Sequence, residues 1–290
     1  MPNLAGYNRQ IANLRKTTRI MQTMRMVAAS KLYRAVEQQR RIADLTGRTS
    51  RAVARLLTCH GPFDHPYQRD SGQPHRPHVV VFSSDRGLCG SFNANVVRHV
   101  QAMMAAPLRR GQQFAFSFCG SRAYRALRSR VQTVRHYDGL AARPAMEAAG
   151  TVAADIEQGF RSGEFDAVYL AYNRFEGTLA HRPSLLHVLP IDADDLAVPG
   201  CGPASPLLTE PGPEALFRRL APLLLRLDVL CALVDTHAGE NGARMAAMDS
   251  AVTNARHLTD RLVLQRNRAR QALITTELTE IVAGAEALHT

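Results

Sequence analysis

Near the start of the chain, apolar residues recur in alternating steps of three and four. From Ile11, positions 11, 14, 18, 21, 25, 28, 32, 35, 39, 42, 46, 49, 53 and 56 carry Ile, Leu, Thr, Met, Arg, Ala, Leu, Ala, Gln, Ile, Thr, Thr, Val and Leu. This heptad seam, diluted by polar residues, predicts one helix over residues 1–57. At about 1.5 Å per residue it would be about 80 Å long, more than the diameter of a compact domain of this size. Ile20, Met24 and Val27 widen the stripe to a second face, so the helix is expected to meet more than one partner. A second helical repeat, Leu216, Leu220, Leu223, Leu227, Leu230 and Val234, continues through Met248, Leu258, Leu262, Leu273 and Ile281. It predicts a helix over 211–290, with Pro213 suited to its first turn and kinks expected at Pro222 and at the Gly239/Gly242 pair.

Between these helices the period changes. His78-Val79-Val80-Val81-Phe82 reads as a buried strand, followed by a helix at 92–106 and a strand at Phe114–Phe118. A helix at 120–129, a strand near 131–135, a helix at 145–162 and strands at Asp166–Ala171 and 184–190 complete the segment 78–190. Strands alternating with helices predict a mostly parallel sheet covered on both faces. Segments 58–77 and 191–210, rich in Pro, Gly and His or Asp, read as connectors. Two long helices flanking a compact domain can satisfy their seams by pairing antiparallel. The expected fold class is therefore α/β plus α: an antiparallel coiled-coil shaft from 1–57 and 211–290, with a central α/β domain over 78–190.

Charge sharpens this picture. Residues 1–57 hold twelve Lys/Arg against only Glu37 and Asp44, and so carry ten of the chain's eleven net positive charges. Residues 211–290 balance nine Arg with nine acids, while 58–210 has fifteen Arg and fourteen acids. A pI near 10.1 suits nucleic acid, an anionic membrane or an acidic protein partner. The basic helix has only Tyr7 and Tyr33 as aromatics, so base stacking is not provided for. No run of about 18 apolar residues occurs, and the first residues lack the apolar block of a secretory signal. The five cysteines, Cys59, Cys89, Cys119, Cys201 and Cys231, are odd in number and scattered, which fits neither a disulfide framework nor a Cys-x-x-Cys metal site. His60, His65, His75 and His78 lie in a Pro/Gly-rich connector without ligand spacing, and no metal or cofactor is expected.

One stretch holds candidate chemistry. Ser84-Asp85-Arg86-Gly87-Leu88-Cys89-Gly90 follows the first strand and opens a helix, where α/β folds place phosphate loops. It matches neither G-x-G-x-x-G nor G-x-x-x-x-G-K-[ST], so a tight turn using Asp85, Gly87 and Gly90 is the preferred reading, with no catalytic residue.

With these residues in view, the chain resembles the gamma subunit of bacterial-type F-type (rotary) ATP synthases along nearly its whole length. The resemblance rests on Met24-Arg25-Met26-Val27-Ala28-Ala29-Ser30-Lys31-Leu32, on the 84–90 turn, and on a C-terminal set. That set runs from Arg244-Met245-Ala246-Ala247-Met248 through Asn254-Ala255 and Asn267-Arg268-Ala269-Arg270-Gln271 to Ile274-Thr275-Thr276-Glu277-Leu278-Thr279-Glu280-Ile281. The family implies a Rossmann-like central domain and a rotor in the central stalk. It also implies alpha, beta and epsilon subunits and a membrane c-ring as partners, no nucleic acid, and peripheral placement on the cytoplasmic face of the bacterial inner membrane through the complex alone. Rotation would couple ion flow to ATP synthesis or hydrolysis on the beta subunits. By position, Met24, Arg25, Met26, Arg270 and Gln271 are expected to contact beta subunits, while Glu240, Arg244, Thr276, Glu277 and Glu280 stabilise the shaft. The alternatives are a basic coiled-coil nucleic-acid-binding protein and an α/β nucleotide-binding enzyme. The chain departs from the family in Gly239-Glu240-Asn241-Gly242, where Ser-Glu-His-Ala is usual, in lacking a tyrosine near Leu207-Leu208, and in having no paired-cysteine insert around Cys201.

Overall fold

The computed structural model describes residues 4–68, 75–105, 111–177, 180–193, 195–196 and 209–287. Cys201, Leu207, Leu208 and most of the second connector lie outside the described residues. Ten main elements follow in chain order: α1 (Leu4–His60), β1 (Pro77–Phe82), α2 (Phe92–Ala105), β2 (Ala115–Cys119), α3 (Ser121–Leu127), β3 (Gln132–Tyr137), α4 (Ala145–Arg161), β4 (Ala167–Phe175), β5 (His181–Leu189) and α5 (Pro213–Ala287). The chain forms two compact units, one of residues 1–28 with 245–290 and one of residues 29–244.

In the larger unit, five strands form one sheet in the order β3-β2-β1-β4-β5. β1 pairs parallel with β2 and β4, β2 pairs parallel with β3, and β5 runs antiparallel to β4. The two faces of the sheet follow from strand alternation. Val79, Val81, Phe116, Phe118 and Ala171 pack under α2 and α3, against Val96, Val100, Ala123 and Leu127. Val80, Phe82, Val168, Leu170 and Tyr172 face the other way, toward α4 and the long helices, whose Ile156, Val53, Leu57, Phe217, Leu224 and Leu230 share that core. Helices thus cover both faces, as the unbroken apolar run of β1 requires. β4 and β5 are longer than their apolar cores suggest because they form a hairpin, with Phe175 opposite His181 and the turn closed by Glu176 and Gly177 amides on Ala180 O.

Within this unit α1 and α5 pair antiparallel: the Gln39 side chain bonds Asp235, while farther along α1 Val53 and Leu57 share the core with Phe217 at the start of α5. The kinks expected at Pro222 and Gly239/Gly242 do not end the helix, which runs as one element from Pro213 to Ala287. An interior proline costs about 3 kcal/mol. Here its neighbours Ala221, Leu224 and Leu225 are each at most 2% exposed, and burying two leucines offsets that cost at about 1.5–3 kcal/mol each.

The smaller unit consists of the other ends of the same helices. Ile11, Ala28, Met248, Val252 and Ala255 are buried there. Along all of α1, every seam position predicted from the heptad pattern is buried or half-buried except Arg25.

Candidate functional site

The turn after β1 is fixed from within. Ser84 N and Oγ both donate to Asn93 Oδ1 at 3.0 Å, and Asn93 Nδ2 donates back to Ser84 Oγ and to Cys89 Sγ. Asp85 Oδ1 accepts from Ser121 N at 3.1 Å, and Arg122 N donates to Ser84 O. Cys89 is buried beside Phe92 and Ala243. Gly90 has φ +55° and Leu88 has φ +64°, so the turn needs two departures into left-handed backbone, one on each side of Cys89 and one of them without glycine's freedom. A phosphate loop presents free amides to its ligand. Here the Ser84 amide and the Asp85 and Asn93 side chains are already committed to the chain's own groups.

Helix α5 closes the same place from above. The sheet reverses its winding between β1 and β4, where doubly wound folds open a ligand crevice beyond the strand ends. Arg244 Nη2 donates to Gly87 O at 3.1 Å and to Glu240 Oε1 at 2.6 Å, with both side chains less than a fifth exposed. Gly239 sits so close to Phe92 that an added Cβ would lie 2.7 Å from the ring. Asp235 accepts from the Phe175 amide at the end of β4, and Asn173 Nδ2 donates to Phe92 O. Glu240 and Arg244 therefore join α5 to the 84–90 turn. Burial pushes the Asp235 carboxyl up to about 6, with the Phe175 amide, Gln39 and Arg174 opposing that rise. Burial likewise pushes Asp228 up to about 7.

The smaller unit carries the other residues singled out in the sequence. Arg25 Nη1 meets Asp249 Oδ1 at 2.5 Å, with side chains 44% and 60% exposed, so the carboxylate nearest this seam arginine is on its own chain. An exposed pair of this kind contributes about 0–1 kcal/mol. Met24 and Met26 are exposed, as are Ile20 and Val27, so the described residues leave much of the second apolar face of α1 uncovered. Arg270, Gln271, Thr276, Glu277 and Glu280 all lie on exposed positions of α5, together with Ile274, Leu278, Ile281 and Val282. Among the described residues, no cluster of His, Cys, Asp and Glu could hold a metal ion.

A helix end that leaves so many apolar and hydrogen-bonding groups bare belongs to an assembly. The family model described as "ATP synthase" matches residues 3–288. The ATP synthase gamma chain of Anaeromyxobacter sp. (strain Fw109-5) is 38% identical over 292 residues, which span 99% of this chain and 100% of that one. The chain belongs to the ATP synthase gamma chain family. The fold is shared with the solved rotor of Euglena gracilis mitochondrial ATP synthase in rotational state 1, at TM-score 0.67 and 20% identity, covering 93% of this chain and 98% of the other. A chain of the OSCP/F1/c-ring structure of the same enzyme in rotational state 3 gives TM-score 0.70 at 21% identity, covering 99% and 94%.

As a gamma chain, the protein explains its glycine departure: Gly239 stands where the Phe92 ring leaves no room for a side chain. Sequence reasoning treats this glycine only as a kink site and a departure from the family pattern. It also missed Asp235 and Asn173: Asp235 directly follows the seam position Val234, and Asn173 lies two residues past the expected strand end at Ala171, so the pattern marked neither.

Proposed function

We propose that this subunit of ATP synthase is the central-stalk rotor, coupling ion flow through a membrane c-ring to ATP synthesis or hydrolysis on alpha–beta catalytic sites. Residues 1–57 and 211–290 act as the shaft, 78–190 as the domain beside the epsilon subunit and the c-ring, and 58–77 and 191–210 as connectors. The observation that carries this reading is the bare surface of the smaller unit. Met24, Arg25 and Met26 on α1 and Arg270 and Gln271 on α5 are all exposed and left for other subunits to cover. Thr276, Glu277 and Glu280 support the shaft near its end, and Glu240 and Arg244 hold it to the 84–90 turn.

In this role the chain contributes no catalytic group. Its orientation favours one state of each surrounding beta subunit over the others, a coupling free energy expressed through contacts. Among the described residues no helix is long and apolar enough to cross a membrane. In the proposed role the chain reaches the membrane through the complex, on its cytoplasmic face. The crevice filled by α5 argues against a nucleotide-binding enzyme.

Co-expression with cognate alpha and beta subunits, followed by gel filtration and an ATP hydrolysis assay, tests the proposal. A complex of three alpha, three beta and one gamma chain is expected, with turnover lowered several-fold by Arg270→Ala/Gln271→Ala, since each lost hydrogen bond is worth about 0.5–1.5 kcal/mol. A chain that stays apart from a ring able to assemble with another gamma chain would refute it.

A further inference from the structure

Beneath the last turns of α4 the sheet face changes character. Val80 and Phe82 of β1 lie in the apolar core on this side, whereas strand alternation brings His78 of β1 to the same face. Ser117, opposite Val80, and Arg135, opposite Ser117, continue the polar row across β2 and β3. These three side chains line a cavity of about 150 Å³ between the sheet and α4. Its floor is built by close packing. The Phe165 ring stacks on His78 at 4.0 Å and passes so near α4 that a Cβ at Gly159 would lie 2.5 Å from it.

His78 is 3% exposed; its Nε2 meets Ser117 Oγ at 2.9 Å, while Nδ1 has no partner among the described residues. A buried ring nitrogen without a hydrogen bond costs stability, and a ligand that supplies the bond recovers it. Burial pushes His78 down to about 4, so the imidazole is neutral near pH 7 and adds no charge to the cavity. Arg135 is the cation of the lining, and it pairs with Asp155, whose Oδ2 also accepts from Tyr137 Oη at 2.7 Å. A second carboxylate, Glu164, is exposed at the mouth, its Oε2 3.5 Å from where a Gly159 Cβ would stand, and it has no ion-pair partner among the described residues. One guanidinium thus faces two carboxylates, and the cavity is left with a net negative charge.

We propose that this cavity binds a small organic cation, a protonated primary amine on a short hydroxylated stem. The ammonium pairs with Glu164 at the mouth, and the hydroxyl, donor and acceptor at once, meets His78 Nδ1 in whichever tautomer the Ser117 contact selects. A small anion is disfavoured, because Arg135 is committed to Asp155 and the remaining charge repels it. A metal ion is disfavoured as well, since no group of His, Cys, Asp and Glu among the described residues could hold one. The site lies wholly in the larger unit and does not depend on the rotor role.

The test is saturation-transfer NMR with ethanolamine, on the alpha–beta ring assembled with this chain and on the same ring assembled with Glu164→Gln or His78→Phe. Ethanolamine is expected to bind with a Kd of about a millimolar, as a ligand of so few atoms allows. Binding should be about tenfold or more weaker in Glu164→Gln, which loses a charge-assisted bond, and several-fold weaker in His78→Phe, which keeps the stacked ring but not Nδ1. Acetate and ethylene glycol should give no signal that the variants alter. Glu164 is exposed, so its variant reads the site even where His78→Phe disturbs the floor. Ethanolamine binding that is absent, or equal in wild type and Glu164→Gln, overturns the proposal, as does acetate binding at least as tight. Binding in the ring that disappears in the complete complex overturns it in favour of a lysine side chain of a neighbouring subunit. Failure of the wild-type chain to enter the ring counts against the proposed function instead, and the same titration on the full-length chain alone then decides the cavity.

Discussion

Gly239 shows how a residue that looks unfavourable in its own element is set by another. In a helix interior glycine costs about 1 kcal/mol relative to alanine. A Cβ at this position would lie 2.7 Å from the fully buried Phe92 ring, which is enclosed by Cys89 and Ala243 and has little room to move. Gly239→Ala is therefore expected to lower unfolding free energy by about 1–3 kcal/mol despite its better helix propensity, the usual cost of overpacking. A denaturant melt showing a gain would mean that the ring yields. Asp235 makes a pH-dependent contribution. Its folded carboxyl titrates near 6 against an ordinary value of 3.8, so the folded state takes up the proton more readily. The stability it lends is full below about 3.8 and lost as pH rises through about 6. Asp235→Asn can still accept from the Phe175 amide without ionising, so melting temperatures of variant and wild type should converge below about pH 3.8 and diverge, with the variant higher, as pH rises through about 6. Parallel curves would place the pH dependence elsewhere.

At the scale of elements, Pro222 is the clearest irregularity. The helix continues through it, supported by buried Ala221 before it and buried Leu224 and Leu225 after it, and forgoes one backbone hydrogen bond. Pro222→Ala should restore that bond and raise stability by about 1–3 kcal/mol in a denaturant melt; no gain would mean that the proline is compensated in the unfolded state. The α1 seam was legible from the heptad positions alone, because burial along a helix has a fixed period. Arg25, the one charge on the seam, proved to be its one exposed position. The strands were legible to within a few residues because β1 and β4 are apolar runs. The extent of the β4–β5 hairpin was not, since Arg174, Phe175 and His181 are held by cross-strand bonds that no local pattern encodes. Nor were the contacts of the 84–90 turn with Asn93, Ser121 and Arg244. They depend on residues brought together from up to 157 positions away.

For the whole molecule, the division of labour follows from what each unit leaves uncovered. The larger unit spends many of its polar groups on itself: Glu240 and Arg244 of α5 close on the 84–90 turn, and Ser84, Asp85 and Asn93 bond within the chain. The smaller unit leaves Ile20, Met24, Met26, Arg270, Gln271 and Ile274 exposed, and the proposed rotor role makes this the surface turned toward other subunits. The family resemblance was readable from three short blocks of sequence.

The most direct test of the rotor assignment is to watch this chain turn. With an alpha–beta ring fixed to a surface and a probe attached to the α/β domain of the gamma chain, ATP is expected to drive unidirectional rotation in thirds of a turn. A chain that is stably bound in a ring hydrolysing ATP, yet whose probe stays still, would contradict the account.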